Sequence, residues 1–229
     1  MQPFTYYDHG IVLPKLTRKT TNEGRKYFTP EDKAYPSITT VLGILSKQQI
    51  IEWRARVGAE EANKISRQAS TRGTAVHKLA EDYINNDPDY KKKHMPANIH
   101  SFNQIKPIID SRINNIYFQE AFLYSNILKT AGQVDLISEW VCDDGVTRLA
   151  VIDFKTSRRP KEKDWITGYY IQTFFYAAAF LEMTGIAITK GVILIAVDGS
   201  EPQVFEFDLH EYLPHFLSVR AKYKELYEK

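Results

Sequence analysis

The run Gly132-Gln133-Val134-Asp135-Leu136-Ile137-Ser138-Glu139-Trp140-Val141 leads into Cys142-Asp143-Asp144-Gly145. Val146-Thr147-Arg148-Leu149-Ala150-Val151-Ile152-Asp153-Phe154-Lys155 follows. Two apolar-rich runs with partial alternation flank an Asp-Asp-Gly turn, which predicts a β-hairpin. A three-residue loop of Asp143, Asp144 and Gly145 gives the glycine the positive φ that it tolerates. Cys142 then faces Val146, and counting outward sets Asp153 opposite Asp135. Lys155 shares the face of Asp153, because side chains alternate with period two. Directly opposed residues have Cβ atoms about 4.5–5.5 Å apart. Two carboxylates that close need a proton or a cation between them, and a lysine beside them suits an anionic substrate or an activated water. Val134, Leu136, Ile152 and Phe154 fall on the opposite, core-facing side. A slip of one residue would undo the Asp–Asp juxtaposition. Singly, such residues are ordinary on a surface hairpin. Together, Asp153 and Lys155 set two charges inside an apolar strand.

The chain has 229 residues, 43% hydrophobic and 25% charged, with a net charge of +2. These values suit one soluble domain with a sizeable core. The mild basic excess permits nucleic-acid binding without arguing for it. The single cysteine, Cys142, excludes an intrachain disulfide and a four-cysteine iron–sulfur cluster. No run is long enough to span a membrane, and the first twenty residues lack the features of a signal or transit peptide. A cytoplasmic protein is expected.

The element pattern predicts a mixed α/β (α+β) domain in three parts. Residues 1–34 hold a hairpin, with Phe4–Leu13 pairing with Arg25–Phe28. Residues 35–115 are helical: a first helix from Ile38 to about Ser46, capped by Ser37 or Thr39; a second from Gln48 to Val57; a long third from Ala59 to Asn85; and a fourth from Ser101 to Asn115, kinked or interrupted at Pro107. Residues 116–229 hold the hairpin above, with a strand Ile116–Tyr124 before it. After it come a helix from about Asp164 to Met183, strands Lys190–Val197 and Gln203–Phe207, and a last helix Leu209–Tyr227.

Within the long helix, Ser70, Gly73, Thr74 and His77 share one face. A glycine in a helix interior costs about 1 kcal/mol against alanine and suits a place where a backbone or substrate comes close. Arg72 and Thr74 beside it could hold a phosphate. From periodicity alone, the plainer reading of His77 is a hydrogen-bonded core histidine. Glu120 falls on the face of Ile116, Phe118, Phe122 and Tyr124. A carboxylate there needs a cation, a proton or hydrogen bonds, and a structural hydrogen bond is the plainer choice. The cations of Thr156-Ser157-Arg158-Arg159-Pro160-Lys161-Glu162-Lys163 read as a solvated loop, or as a track for a phosphate backbone.

Gly-x-Val-Asp followed by Ile-Asp-x-Lys-Thr resembles the core of the PD-(D/E)xK nucleases, in their lambda-exonuclease and RecB-like branch. The proline of that name is absent, and Val134 precedes Asp135. The Arg72-Gly73-Thr74-x-x-His77 helix, the Ser37-x-Thr-Thr-Val-Leu and Trp53-Arg54-x-Arg56-Val57-Gly58 stretches, and Gln172-x-x-x-Tyr176 extend the resemblance over roughly residues 35–197. They are similar to the group of the mitochondrial genome maintenance exonuclease and its phage relatives.

The resemblance implies a mixed sheet flanked by helices, with an N-terminal helical elaboration shaped like an arch. It implies catalysis by Asp135, Asp153, Lys155 and Glu120. It also implies Mg²⁺ or Mn²⁺ held by His77, Asp135, Asp153 and the carbonyl of Phe154, with Gln172 and Tyr176 shaping the site and touching substrate. Arg72, Gly73, Thr74 and Arg158 are the further substrate-binding candidates. The expected activity is exonucleolytic cleavage of DNA, chiefly single strands with a free end, in phage or bacterial replication, recombination or repair. Replication or recombination proteins would be further partners. An endonuclease, or a non-catalytic DNA-binding domain of the same fold, is the alternative.

Overall fold

In the computed structural model, which describes residues 3–228, a small antiparallel ribbon comes first. It consists of β1 (Thr17–Thr21), β2 (Gly24–Phe28) and β3 (Ala34–Pro36). Helices α1 (Ile38–Val57), α2 (Ala59–Ile84) and α3 (Pro96–Arg112) follow. Then come β4 (Ile113–Ser125), β5 (Thr130–Val141), β6 (Thr147–Ser157), α4 (Thr167–Thr184), β7 (Lys190–Val197), β8 (Gln203–Asp208) and α5 (Leu213–Tyr227). Short 3₁₀ turns precede α4 and α5. The main sheet has the order β4-β5-β6-β7-β8. Only β6 and β7 pair in parallel among its described strands, with α4 as the crossover that a parallel pair requires. The expected mixed sheet flanked by helices is what the chain adopts. No helix of the described residues is long and apolar enough to cross a membrane.

The hairpin forms in the expected register. Gly145 has φ +77, its N–H bonds to Cys142 O at 2.9 Å, and the Cys142 N–H bonds to Val146 O at 3.1 Å. The β5–β6 ladder runs from Val141–Thr147 to Leu136–Ile152. Asp135 and Asp153 are the next positions outward, just past the last pair. The expectation of one core-facing side is corrected, because the sheet is covered on both faces. Leu136, Ile152 and Phe154 pack under α2 and α3, whereas Val134 joins Ile137 and Val151 beneath α4. Parity therefore breaks between Val134 and Leu136, where the ladder ends.

β4 departs from simple alternation as well. Its pairing with β5 shifts between Ile113 and Phe118, and Glu120 has φ +49. Ile116 lies in the α2–α3 core while Phe118 packs edge-on against Phe180 of α4, with ring centroids 5.5 Å apart. The even-numbered face expected for this strand is thus split by irregular backbone.

The N-terminal hairpin is corrected too: Thr17–Thr21, not Phe4–Leu13, pairs with β2. The β-branched threonines extend easily, and Asn22-Glu23 makes the turn. The aromatic run before it lies along β4 instead. Tyr7 N–H bonds to Ile116 O and Ile116 N–H to Thr5 O, both at 2.8 Å, which covers an edge that would otherwise be open. The two helices expected over residues 38–57 are one, since Lys47, Gln48 and Gln49 are good helix formers and no proline intervenes. Ser37 caps it, accepting the Thr40 N–H at 3.0 Å. Gly58, at φ +86, separates α1 from α2. α3 starts at Pro96, earlier than expected, where a missing N–H costs nothing, and gives way to strand at Ile113.

Gly132 is where β5, α1 and α4 meet. A Cβ there would stand 2.7 Å from Tyr176 Cε1 and 3.1 Å from Ile38 Cγ2. Tyr176 is buried and held by Gln172 Nε2 at 3.1 Å from its hydroxyl, so it cannot step back. Gly132→Ala is expected to cost ~1–3 kcal/mol as overpacking, lowering Tm by roughly 2–4 °C per kcal/mol. Thermal unfolding followed by circular dichroism checks this, and an unchanged Tm would contradict it.

Candidate active site

Where the β5–β6 ladder ends, the backbone N–H of Phe154 loses its strand partner. Asp135 Oδ2 accepts it at 2.9 Å. The same oxygen lies 3.4 Å from Nδ1 of His77 on α2, whose ring sits edge-on to that of Phe154. The positive φ of Glu120, uncommon outside glycine, accompanies the approach of its carboxylate to this pair. His77, Glu120 and Asp135 each offer a donor atom, all within 4.8 Å of one another. Asp153 stands beside that trio and is only 1% exposed. Its carboxylate pairs with the Lys155 ammonium and accepts from Gln172 Nε2 at 3.4 Å. Lys155 Nζ lies 5.1 Å from the centre of the Tyr169 ring.

The electrostatics follow from burial and crowding. Burial, reinforced by the Asp135 charge, pushes the Glu120 carboxyl up to about 7. Burial likewise lifts Asp153 to about 6, with Lys155 pulling against it and Asp135 adding to it. Asp135 is also pushed up by burial, but His77, Lys155 and the Phe154 N–H together hold it below the usual carboxylate range. Burial works against charge on His77, yet Asp135 outweighs it and raises the imidazole. Burial works against Lys155 in the same way, and Asp153 and Asp135 raise it, keeping it an ammonium at neutral pH. In the protein alone, Glu120 thus retains a proton near neutrality that a cation would displace, whereas Asp153 takes one up only below neutral pH.

A cavity of about 700 Å³ opens over these groups. Gly73, Thr74, His77, Glu120, Asp135, Lys155, Gln172 and Tyr176 line it, all of them candidates from the sequence. Asp153 and Phe154 form the buried floor behind. A Cβ at Gly73 would meet only Thr156 Oγ1 at 3.9 Å, so the protein's own packing does not require the glycine. Two candidates are not brought in. Arg72, one helix position off the cavity face, pairs with Asp198 beyond β7. Arg158 lies on the exposed loop after β6 and donates to Gln68 Oε1 at 2.9 Å. Arg18 and Arg25 of the ribbon, with Lys78 and Glu81 of α2, line the cavity without having been singled out. Lys78 and Glu81 were readable from helix spacing, four and eight residues beyond Thr74 and Gly73 respectively. The arginines were not: Arg18 lies on β1, which takes the place expected for Phe4–Leu13, and the face that Arg25 shares with it follows from that pairing.

An imidazole nitrogen and two carboxylate oxygens converging over 4.8 Å suit a divalent cation, Mn²⁺ more readily than Mg²⁺ for the nitrogen. A half-buried carboxyl held near pH 7 is what such a donor set becomes without the cation's charge. The residues fit a metal ion.

Among solved structures, a candidate exonuclease from Eubacterium rectale is similar at a TM-score of 0.38 and 19% identity, over 66% of this chain and 68% of its own. The protein SSO0001 is similar at 0.33 and 16%, over 67% and 74%. Rai1 of Scheffersomyces stipitis is similar at 0.34 and 14%, over 93% and 54%. None of the curated proteins matches the chain in sequence. From the end of α3 to β8, residues 110–206, the stretch that carries Glu120, Asp135, Asp153 and Lys155, match the family model of the PD-(D/E)XK nuclease superfamily.

Proposed function

We propose that the chain is a metal-dependent deoxyribonuclease that degrades single-stranded DNA from a free end. We place it in the lambda-exonuclease and RecB-like branch, acting in phage or bacterial DNA replication, recombination or repair. The observation that carries this reading is the convergence of His77, Glu120 and Asp135 within 4.8 Å, beside the Asp153–Lys155 pair.

A divalent ion held by His77, Glu120 and Asp135, with Asp153 and the Phe154 carbonyl as further ligands, would polarise the phosphate and acidify the attacking water. The Lys155 ammonium orients that water and offsets charge developing on the phosphate oxygens. Gln172 and Tyr176 fix Asp153 through the hydrogen bonds described above. The deep burial of Asp153 keeps bulk water from competing for its carboxylate. Binding rests on phosphates and base stacking, which tolerate any sequence. The long helices α1 and α2, meeting at Gly58, serve as the arch under which a free end passes. Trp53, Arg54, Arg56 and Arg67 supply its aromatic and cationic side chains. Of these, Arg54 already donates to Asn63 Oδ1 at 2.7 Å, and Arg56 and Arg67 are exposed.

Metal linkage predicts a pH dependence of stability. The Glu120 carboxyl, at about 7, and Asp153, at about 6, are raised. A raised carboxyl stabilises the fold fully below its unfolded value and loses that contribution as pH rises through its folded value. His77, also raised, has the same sign. In EDTA, Tm is expected to fall as pH rises from about 5 to about 8. Saturating Mg²⁺ is expected to reduce the fall, because it binds the deprotonated site. A profile in EDTA that stays flat or rises would contradict this.

End-dependence tests the function itself. With Mg²⁺ present, linear single-stranded DNA is expected to be consumed and the same strand, covalently closed, to be spared. Equal rates on both would make the chain an endonuclease, and no cleavage of either would refute a nuclease.

A further inference from the structure

The catalytic cavity has a cationic wall that the metal site does not use. Arg18 pairs with Tyr27 across the ribbon, and Thr20 with Arg25. By the period of two, Arg18, Arg25 and Tyr27 therefore share one face, and all three line the cavity. Tyr27 is buried against Leu16, Tyr35 and Ala131, which fixes the face in place. Lys19 and Lys26 fall on the other face: Lys19 lies over the Phe28 ring and Lys26 pairs with Glu23. Arg25 is tied to the start of α1 from both sides. Its N–H donates to Thr40 Oγ1 at 3.0 Å, and its carbonyl accepts the Ser37 N–H at 2.8 Å.

The other cations of the cavity are committed. Lys155 pairs with Asp153, and Lys78 with Glu81 and Asp82. Among the described residues, neither Arg18 nor Arg25 has a carboxylate within ion-pair distance, although Glu81, Glu120 and Asp135 line the same cavity. Two guanidiniums thus line the cavity without an ion-pair partner among the described residues. A guanidinium fork matches a phosphate, and it keeps its charge at any working pH. Lys155 and the carboxylates occupy the floor, where the cut phosphate would sit, and the ribbon forms a different wall.

We propose that Arg18 and Arg25 clamp a phosphodiester of the DNA strand that neighbours the one being cut. This rests on the nuclease reading and adds a requirement to it: a good substrate carries at least two phosphodiesters. The clamp positions the strand, and the arginines touch no reacting atom.

The test compares wild type with the Arg18→Ala/Arg25→Ala variant on a labelled oligonucleotide and on bis(p-nitrophenyl) phosphate, which has one phosphodiester. On the oligonucleotide, kcat/KM is expected to fall about 10²-fold, mostly through KM, as two charged hydrogen-bonding contacts are lost. On the small diester it is expected to fall far less. In EDTA, the salt dependence of oligonucleotide binding is expected to lose about 0.7 or more of its log–log slope. Arg18→Lys/Arg25→Lys is expected to restore part of both. Equal losses on the two substrates, or no loss on either, would overturn the clamp. Should the double alanine variant fail to fold, Arg18→Ala, on an exposed strand, carries the same comparison. A wild-type chain that cuts neither substrate refutes the nuclease reading, and the slope of binding then decides the clamp by itself.

Discussion

Carboxylates crowd the open end of β5 and β6, and the rest of the site is arranged around that repulsion. Two like charges about 5 Å apart repel by roughly 3 kcal/mol at an effective dielectric of about 20. Glu120 and Asp135 are within that range of each other, and Asp153 is almost wholly buried. The protein offsets the charge of Asp135 with His77 and the Phe154 N–H, and that of Asp153 with Lys155 and Gln172. Among the described residues Glu120 has no comparable partner, and that carboxyl holds its proton to about 7. The imbalance is local, and a divalent cation would remove it.

The fold delivers these groups from separate elements. The β5–β6 ladder brings the two aspartates level and then ends, which frees the Phe154 N–H for Asp135. Irregular backbone in β4 turns Glu120 toward them. α2 contributes His77 and α4 contributes Gln172 and Tyr176. Gly132 lets Tyr176 come close enough to β5 for that contact to exist. The ribbon closes the cavity from the other side, anchored through Arg25 to the start of α1.

Much of this was readable from residue order. The Asp143-Asp144-Gly145 turn set the register, and the register leveled Asp135 with Asp153. The helical face of Gly73, Thr74 and His77 was readable because a regular helix keeps its period over many residues. What failed turned on irregular backbone or on long-range pairing. The alternation predicted for β4 could not anticipate a positive φ at Glu120, since sequence patterns assume regular strands. Phe4–Leu13 has strand-like composition, but its backbone partners lie more than a hundred residues away in β4, beyond the reach of a hairpin rule. Arg72 carries the right charge for a phosphate and sits one position from the cavity face, where Asp198 takes it. Arg18 and Arg25 were hidden because their direction depends on which strand pairs with β2.

The central claim is that His77, Glu120 and Asp135 hold one divalent cation between them. Pulsed electron paramagnetic resonance on the Mn²⁺-loaded chain reports it most directly, because an imidazole nitrogen bound to manganese modulates the electron spin echo. The account predicts that modulation in the wild type and its loss in His77→Ala. Tightly bound Mn²⁺ with no nitrogen modulation in the wild type would contradict it.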